Sequence, residues 1–158
     1  MALVVIATAP LCSFQVSADA AGANKACELL TPADIEAALG LKVSPFAEGA
    51  GGFCSASAPR VTVTVRIAKK SGTPGREAKG VEMMKQMGGQ IDVKSFGSMT
   101  CSTLVPPETL VQSVGFNTMC SITKGDTVAA VEVTAKAQAD MVAIDKLRPL
   151  VEKLATRF

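Results

Sequence analysis

In "RVTVTVRI", Val61, Val63, Val65 and Ile67 alternate with Thr62, Thr64 and Arg66. This is the period-two pattern of a strand with one apolar face. The alternation returns over 114–123, where Val114, Phe116, Thr118, Cys120 and Ile122 share a side, and again over 127–135 after a Lys124-Gly125-Asp126 turn. A further strand with an irregular start spans about 93–105. At the C-terminal end the period changes. Ile144, Leu147, Val151, Leu154 and Phe158 recur at steps of three and four, one stripe of a helix. Pro149 should kink that helix or begin its regular part. Another helix, over about 76–87, turns Val81 and Met84 inward and stops at Gly88-Gly89. The best-punctuated helix lies in "CELLTPADIEAALG": Thr31 as N-cap, Pro32 at N1, Asp34 at N3 and Gly40 as the stop. Leu30 and Ile35 form its hydrophobic staple. The predicted order is helix, strand, helix, three strands, helix. That order implies an α+β fold, an antiparallel sheet of about four or more strands with helices packed on it. A chain of 158 residues is one domain by default.

The opening of the chain reads differently. "MALVVIATAPLCSFQVSADAAGA" is apolar from Ala2 to Leu11, then small and polar, with no Lys or Arg before Lys25. A short apolar run followed by Ala18-Asp19-Ala20 predicts a signal peptide over 1–20, cleaved after Ala20, with 21–158 as the secreted domain. The uncharged Met1-Ala2-Leu3 departs from the usual basic start. Leu11, the residue before Cys12, is not the small residue of a lipoprotein signal, so a lipid anchor is not expected. Cleavage leaves sixteen Lys+Arg against thirteen Asp+Glu, a net charge of +3. That balance is too mild and too evenly spread for nucleic acid. The absence of Trp and Tyr removes most of the stacking surface a single-strand binder uses. No transmembrane segment is expected in the mature chain.

Cleavage also removes Cys12 and leaves Cys27, Cys54, Cys101 and Cys120, an even set for an oxidising compartment. Four cysteines allow three connectivities. Folding 101–120 as a hairpin centred near Leu110 sets Cys101 opposite Cys120, within reach of a disulfide. Cys27 and Cys54 then pair by elimination. The alternative for Cys27, a reactive thiol, is disfavoured. It lies outside the first turn of the helix that begins after Thr31, there is no C-x-x-C, and the chain has no histidine to serve as a base. The scattered cysteines also lack the paired spacing of a structural zinc site.

The enzyme case is thin. Without histidine every triad that uses one is excluded. Ser121-Ile122-Thr123-Lys124 matches S-x-x-K and Lys70-Ser71-Gly72 loosely matches K-T-G. The serine of such a site opens a helix, whereas Ser121 ends a strand pattern, and the two motifs come in reversed order. A Ser/Lys hydrolase therefore stands as a third reading. The second is a copper carrier, since Met83 and Met87 are soft ligands at i, i+4 on one helix face. Their ordinary role is packing. No metal site or cofactor is assigned. The two Gly-containing segments "EGAGGF" (48–53) and "KKSGTPGR" (69–76) read as loops at opposite ends of the first strand. Lys69, Lys70 and Arg76 in the latter could attract an acidic surface or anionic lipid.

"CELLTPADIEAALG", a second cysteine before a valine-rich strand, and "GFNTMCSITKGDTVAAVEV" ahead of a terminal helix form a recognisable arrangement. It resembles small exported bacterial proteins, including lipoproteins of the LpqN type, whose fold is similar to that of PsbP. The likeness spans most of the mature chain and rests on cap and core residues. It implies a PsbP-like fold and a non-catalytic binding or accessory role in the cell envelope, secreted or periplasmic. The partner would be a protein, lipid or small molecule of that compartment, and no catalytic residues are carried over. The chain departs from the pattern in its missing lipobox and low aromatic content.

Overall fold

The computed structural model describes residues 20–49, 53–70 and 76–158. Residues 1–19, which hold most of the expected signal segment, and residues 50–52 and 71–75 lie outside them. Five helices are described: α1 (Ala20–Leu29), α2 (Pro32–Leu39), α3 (Arg76–Gln86), the single turn α4 (Val111–Val114) and α5 (Ile144–Ala155). The strands are β1 (Ala47–Gly49), β2 (Phe53–Ser57), β3 (Val61–Lys69), β4 (Gln90–Phe96), β5 (Met99–Val105), β6 (Phe116–Lys124) and β7 (Thr127–Ala135). Among the described residues the strands form one sheet in the order β1-β2-β3-β7-β6-β5-β4, each neighbouring pair antiparallel. The α+β fold class therefore stands, with more strands than the sequence pattern predicts.

The register explains the core. Val63 and Val65 sit opposite Val133 and Val131, and those two lie opposite Thr118 and Cys120. One face of the central strands thus carries a continuous buried layer. Leu29, Leu30, Ile35, Leu147, Leu150, Val151 and Leu154 cover it from α1, α2 and α5. The opposite face holds Thr64, Arg66, Asn117, Ser121, Glu132 and Thr134, as strand alternation requires. There Arg66 Nη2 meets Glu132 Oε2 at 2.7 Å. The carboxylate also accepts from Asn117 Nδ2.

Several elements differ from the sequence pattern. The stretch read as one strand over 93–105 is a hairpin, β4 and β5, reversed at Gly97, whose φ of 64° suits glycine. Ala47–Gly49 is a strand, not loop, and the pattern missed β2 because "FCSAS" is mostly small residues of weak strand preference. Helix α1 carries no sequence signal for a similar reason: it is "AAGANKACEL", without an apolar stripe. The terminal helix starts at Ile144, so Pro149 sits inside it and does not begin it. Proline there deprives the Asp145 carbonyl of its helical donor. The buried Leu147, Leu150, Val151 and Leu154 hold the helix against the sheet nonetheless.

The α2 start is built as the sequence predicts. Thr31 Oγ1 accepts from the Asp34 amide at 3.2 Å and Asp34 Oδ2 accepts from the Thr31 amide at 3.0 Å, a closed capping box. Asp34 does more than cap. Lys153 Nζ contacts Oδ1, Arg157 Nη1 lies 3.1 Å from Oδ2, and the same guanidinium donates to the Leu29 carbonyl at 2.6 Å. One carboxylate therefore joins the α1–α2 corner to the end of α5. Burial alone would raise its pKa. The hydrogen bonds from Lys153, Thr31 and Arg157 outweigh burial and hold it at about 2, below the ordinary 3.8.

A pKa lowered by folding means stability that is complete above the unfolded value and is lost as pH falls through the folded one. The window is therefore about pH 4 down to about 2. Lys153 and Arg157 remain 44% and 36% exposed, so solvent screening reduces the electrostatic part to about 1 kcal/mol. Asp34→Ala should cost about 1–2 kcal/mol at pH 6, the lost cap included. The difference from wild type should narrow at pH 2.5. Urea unfolding at the two pH values checks it; a difference that does not narrow with acid would show that the charge contributes nothing.

Candidate functional site

A shallow concavity lies at the end of the sheet where β3 begins, and three connections build it. Helix α2 stops at Gly40, whose φ of 69° is the left-handed cap geometry, and the chain turns outward at Leu41. The second wall is the β2–β3 turn, closed by the Ala58 amide donating to the Val61 carbonyl at 2.8 Å. The third is the run from β7 to α5. The Lys136 amide donates to the Arg60 carbonyl at 3.0 Å, and Thr118 Oγ1 donates to the Val142 carbonyl at 2.7 Å. Thr118 is a buried polar side chain in the core, and this bond gives its hydroxyl a partner while pinning the connection.

Between these walls Leu41, Ala58, Pro59, Arg60, Val61 and Asp140 line a cleft of about 310 Å³. A second, of about 250 Å³, opens on the other side of Leu41 and Asp140 and runs past Met141 and Val142 to Lys146. The first volume reaches the lower end of the ~300–1,000 Å³ range of small-molecule sites. Asp140 stands where the two meet. Its Oδ2 is buried and makes no hydrogen bond among the described residues, its charge being met by Arg60 Nη1 at 3.6 Å. A buried acceptor with so little to satisfy it favours a donor from outside. The cleft thus offers apolar walls around an acceptor, with Arg60 and Lys146 at its rim. Sequence reading found none of this, because Leu41, Arg60 and Asp140 belong to no motif and meet only in the fold.

The residues singled out by sequence are distributed elsewhere. The structure joins Cys27 to Cys54 and Cys101 to Cys120, with Cα separations of 5.2 and 4.0 Å. The second pair lies directly across β5 and β6. Lys69 and Lys70 are exposed at the far end of β3, and Arg76 opens α3. Lys69 is level with Thr127, and Thr127 with Lys124, so the basic end reaches across three strands. Lys124 is engaged there, donating to the Phe158 carbonyl at 2.9 Å. The expectation that segments 48–53 and 69–76 flank β3 at opposite ends needs correction. Phe53 pairs with Arg66 and with Gly49, which places the β1–β2 connection at the same end as Lys69. Strand β2, which the sequence pattern does not predict, reverses the chain once more between the two segments.

Met83 is exposed on α3, at 58%, and Met87 in the turn just past its end, at 46%, while Met99 is buried in the core and Met119 lies half-buried on β6. Ser121 and Lys124 are three residues apart on one strand, hence on opposite faces of the sheet. Ser121 Oγ donates to the Thr100 carbonyl at 3.4 Å, on the face away from the helices. Ser71 and Gly72 lie outside the described residues. Among the described residues no group of three or more His, Cys, Asp or Glu could hold a metal ion, and no helix is long and apolar enough to cross a membrane.

No family model matches the chain, and neither does any curated protein. Among solved structures, the chain is similar to the solution structure of cyanobacterial PsbP (CyanoP) from Synechocystis sp. PCC 6803. The identity is 10%, the match covers 66% of this chain and 71% of that one, and the TM-score is 0.34. At that score the likeness carries no functional weight, and the site rests on the chain's own geometry.

Proposed function

We propose that this chain is a non-catalytic binding domain of the bacterial cell envelope, exported by cleavage after Ala20 and related to the LpqN-type proteins that its sequence resembles. Its ligand is a small apolar molecule carrying a hydroxyl or amine, bound in the cleft at Leu41, Val61 and Asp140. The observation that carries the reading is Asp140 Oδ2, a buried acceptor with an ion pair to Arg60 but no hydrogen bond, where an apolar cleft meets a second, more polar one. Two disulfides among buried or half-buried cysteines are consistent with an oxidising compartment. They also leave none of the four cysteines as a thiolate nucleophile, and the chain has no histidine base. The opposite-face placement of Ser121 and Lys124 speaks against the hydrolase reading.

Native mass spectrometry of the exported protein should find a polypeptide beginning at Ala21 with a non-covalent small-molecule adduct. Leu41→Trp, at a half-buried wall packed against the core, should remove the adduct at a cost of about 1–3 kcal/mol, so urea unfolding is run alongside to show that the variant is folded. Replacing Lys69, Lys70 and Arg76 by Ser should leave it in place. An adduct lost with the three basic residues and kept in Leu41→Trp would move the site to the opposite end of the sheet. An adduct present in both variants, or absent from wild type, would remove the cleft reading.

A further inference from the structure

We propose that the chain forms a two-fold symmetric dimer by antiparallel pairing of β4 with the β4 of a second copy, centred on Val93. Strand β4 ends the sheet, with β5 on one side and no described strand on the other. An edge strand carries a row of backbone N–H and C=O groups free to pair with another chain. Helix α3 touches β4, yet among the described residues no strand covers this edge, and Gln90, Asp92, Val93, Lys94 and Ser95 are all exposed. Val93, at 52%, is one of the exposed large apolar side chains of the described residues. Natural sheets commonly protect such edges with charge, and β4 carries one of each sign.

The arrangement of those charges selects the partner. Asp92 and Lys94 flank Val93, and Val93 is the middle residue of Gln90–Phe96. Antiparallel self-pairing about Val93 therefore uses the whole strand and sets each Asp92 across from the partner's Lys94, twice by symmetry. Opposite charges directly across a ladder stabilise it and like charges oppose it. In one copy Asp92 and Lys94 contact each other at 3.9 Å while both stay more than half exposed. Dimerisation replaces that loose contact with two cross-strand pairs. Val93 meets its twin at the two-fold axis, on the sheet face that also holds Ile91 and Leu104, themselves paired across β4 and β5. The interface is isologous, so it closes at two copies and does not propagate.

Sedimentation equilibrium of the oxidised chain should show a monomer–dimer equilibrium. Asp92→Lys alone, or Lys94→Asp alone, replaces two attractive pairs by two repulsive ones and should weaken the dimer about tenfold or more. The double exchange D92K/K94D should restore it. A mixture of the D92K and K94D chains should form heterodimers more tightly than either forms homodimers. All these positions are exposed, so urea midpoints measured at concentrations too dilute for the dimer should stay at the wild-type value and report intact folding. A wild-type chain that is monomeric throughout, or a dimer indifferent to the single reversals, would overturn the proposal. So would a double exchange that behaves like the single ones.

Discussion

Paired replacement of Cys27 and Cys54 by alanine is expected to lower stability by about 3.5 kcal/mol, and that of Cys101 and Cys120 by about 3 kcal/mol. Both figures follow from the loop each bond closes, with sequence separations of 27 and 19 residues. Together they approach the whole of a typical domain's ~5–15 kcal/mol, so the fully reduced chain should be largely unfolded at 37 °C. The two bonds should fail differently. Cys27–Cys54 ties α1 to the sheet, and α1 packs mainly on β2 and β3. Its loss should free α1 locally, and limited proteolysis should then cut within 20–29 before the remainder unfolds. Cys101–Cys120 lies in the buried layer across β5 and β6, and its loss should shift the single cooperative transition with no early cleavage. Urea unfolding of each alanine pair, with proteolysis alongside, separates the two; unchanged midpoints in both pairs would show that neither bond constrains the unfolded chain.

Leu147→Ala should be as costly as losing a disulfide. The side chain is fully buried on α5, the helix that packs on β6 and β7. Removing it leaves a cavity in the closed layer between Leu150, Val151 and Leu154 and the sheet. Leu→Ala at such sites costs about 2–5 kcal/mol, according to how far the surroundings collapse. Collapse is restricted here, since α5 is also tied at its end through Lys153 and Arg157 to Asp34. A value in the upper half of the range is therefore expected. Leu147→Met keeps the volume and should cost below about 1.5 kcal/mol. Urea midpoints for the two variants check this, and equal losses would mean that side-chain shape, not volume, is decisive at this position.

The parts of the fold legible in the sequence are those with a local cause. The Thr31 capping box depends on residues three apart, and Val61–Ile67 carries its own alternation. The α5 stripe lies in one run, and the Cys101–Cys120 pairing follows from a hairpin between neighbouring strands. Strand β2 and helix α1 have no such cause. Their small residues fit either state, and each is held by what it meets: β2 by Val63 and Val65 across the ladder, α1 by its disulfide and by the buried Ala26 and Leu29. The Gly97-Ser98 turn was readable as a hairpin signal, and reading 93–105 as one strand passed over it.

The same division separates the sites. By itself the sequence determined which elements are amphipathic, where helices start, and that the cysteines from Cys27 onward come in an even number. It also determined that Asp92, Val93 and Lys94 are adjacent, so that β4 is self-complementary wherever it lies. Only the tertiary structure decided that β4 is an edge, because strand order depends on how β3 crosses through α3 to the far side of the sheet. Only it brought Leu41, Arg60 and Asp140 together, from three connections whose own residues show no pattern. Periodicity reports the faces of single elements. A cleft between connections is made of positions without period, and its chemistry exists only once the layers have packed.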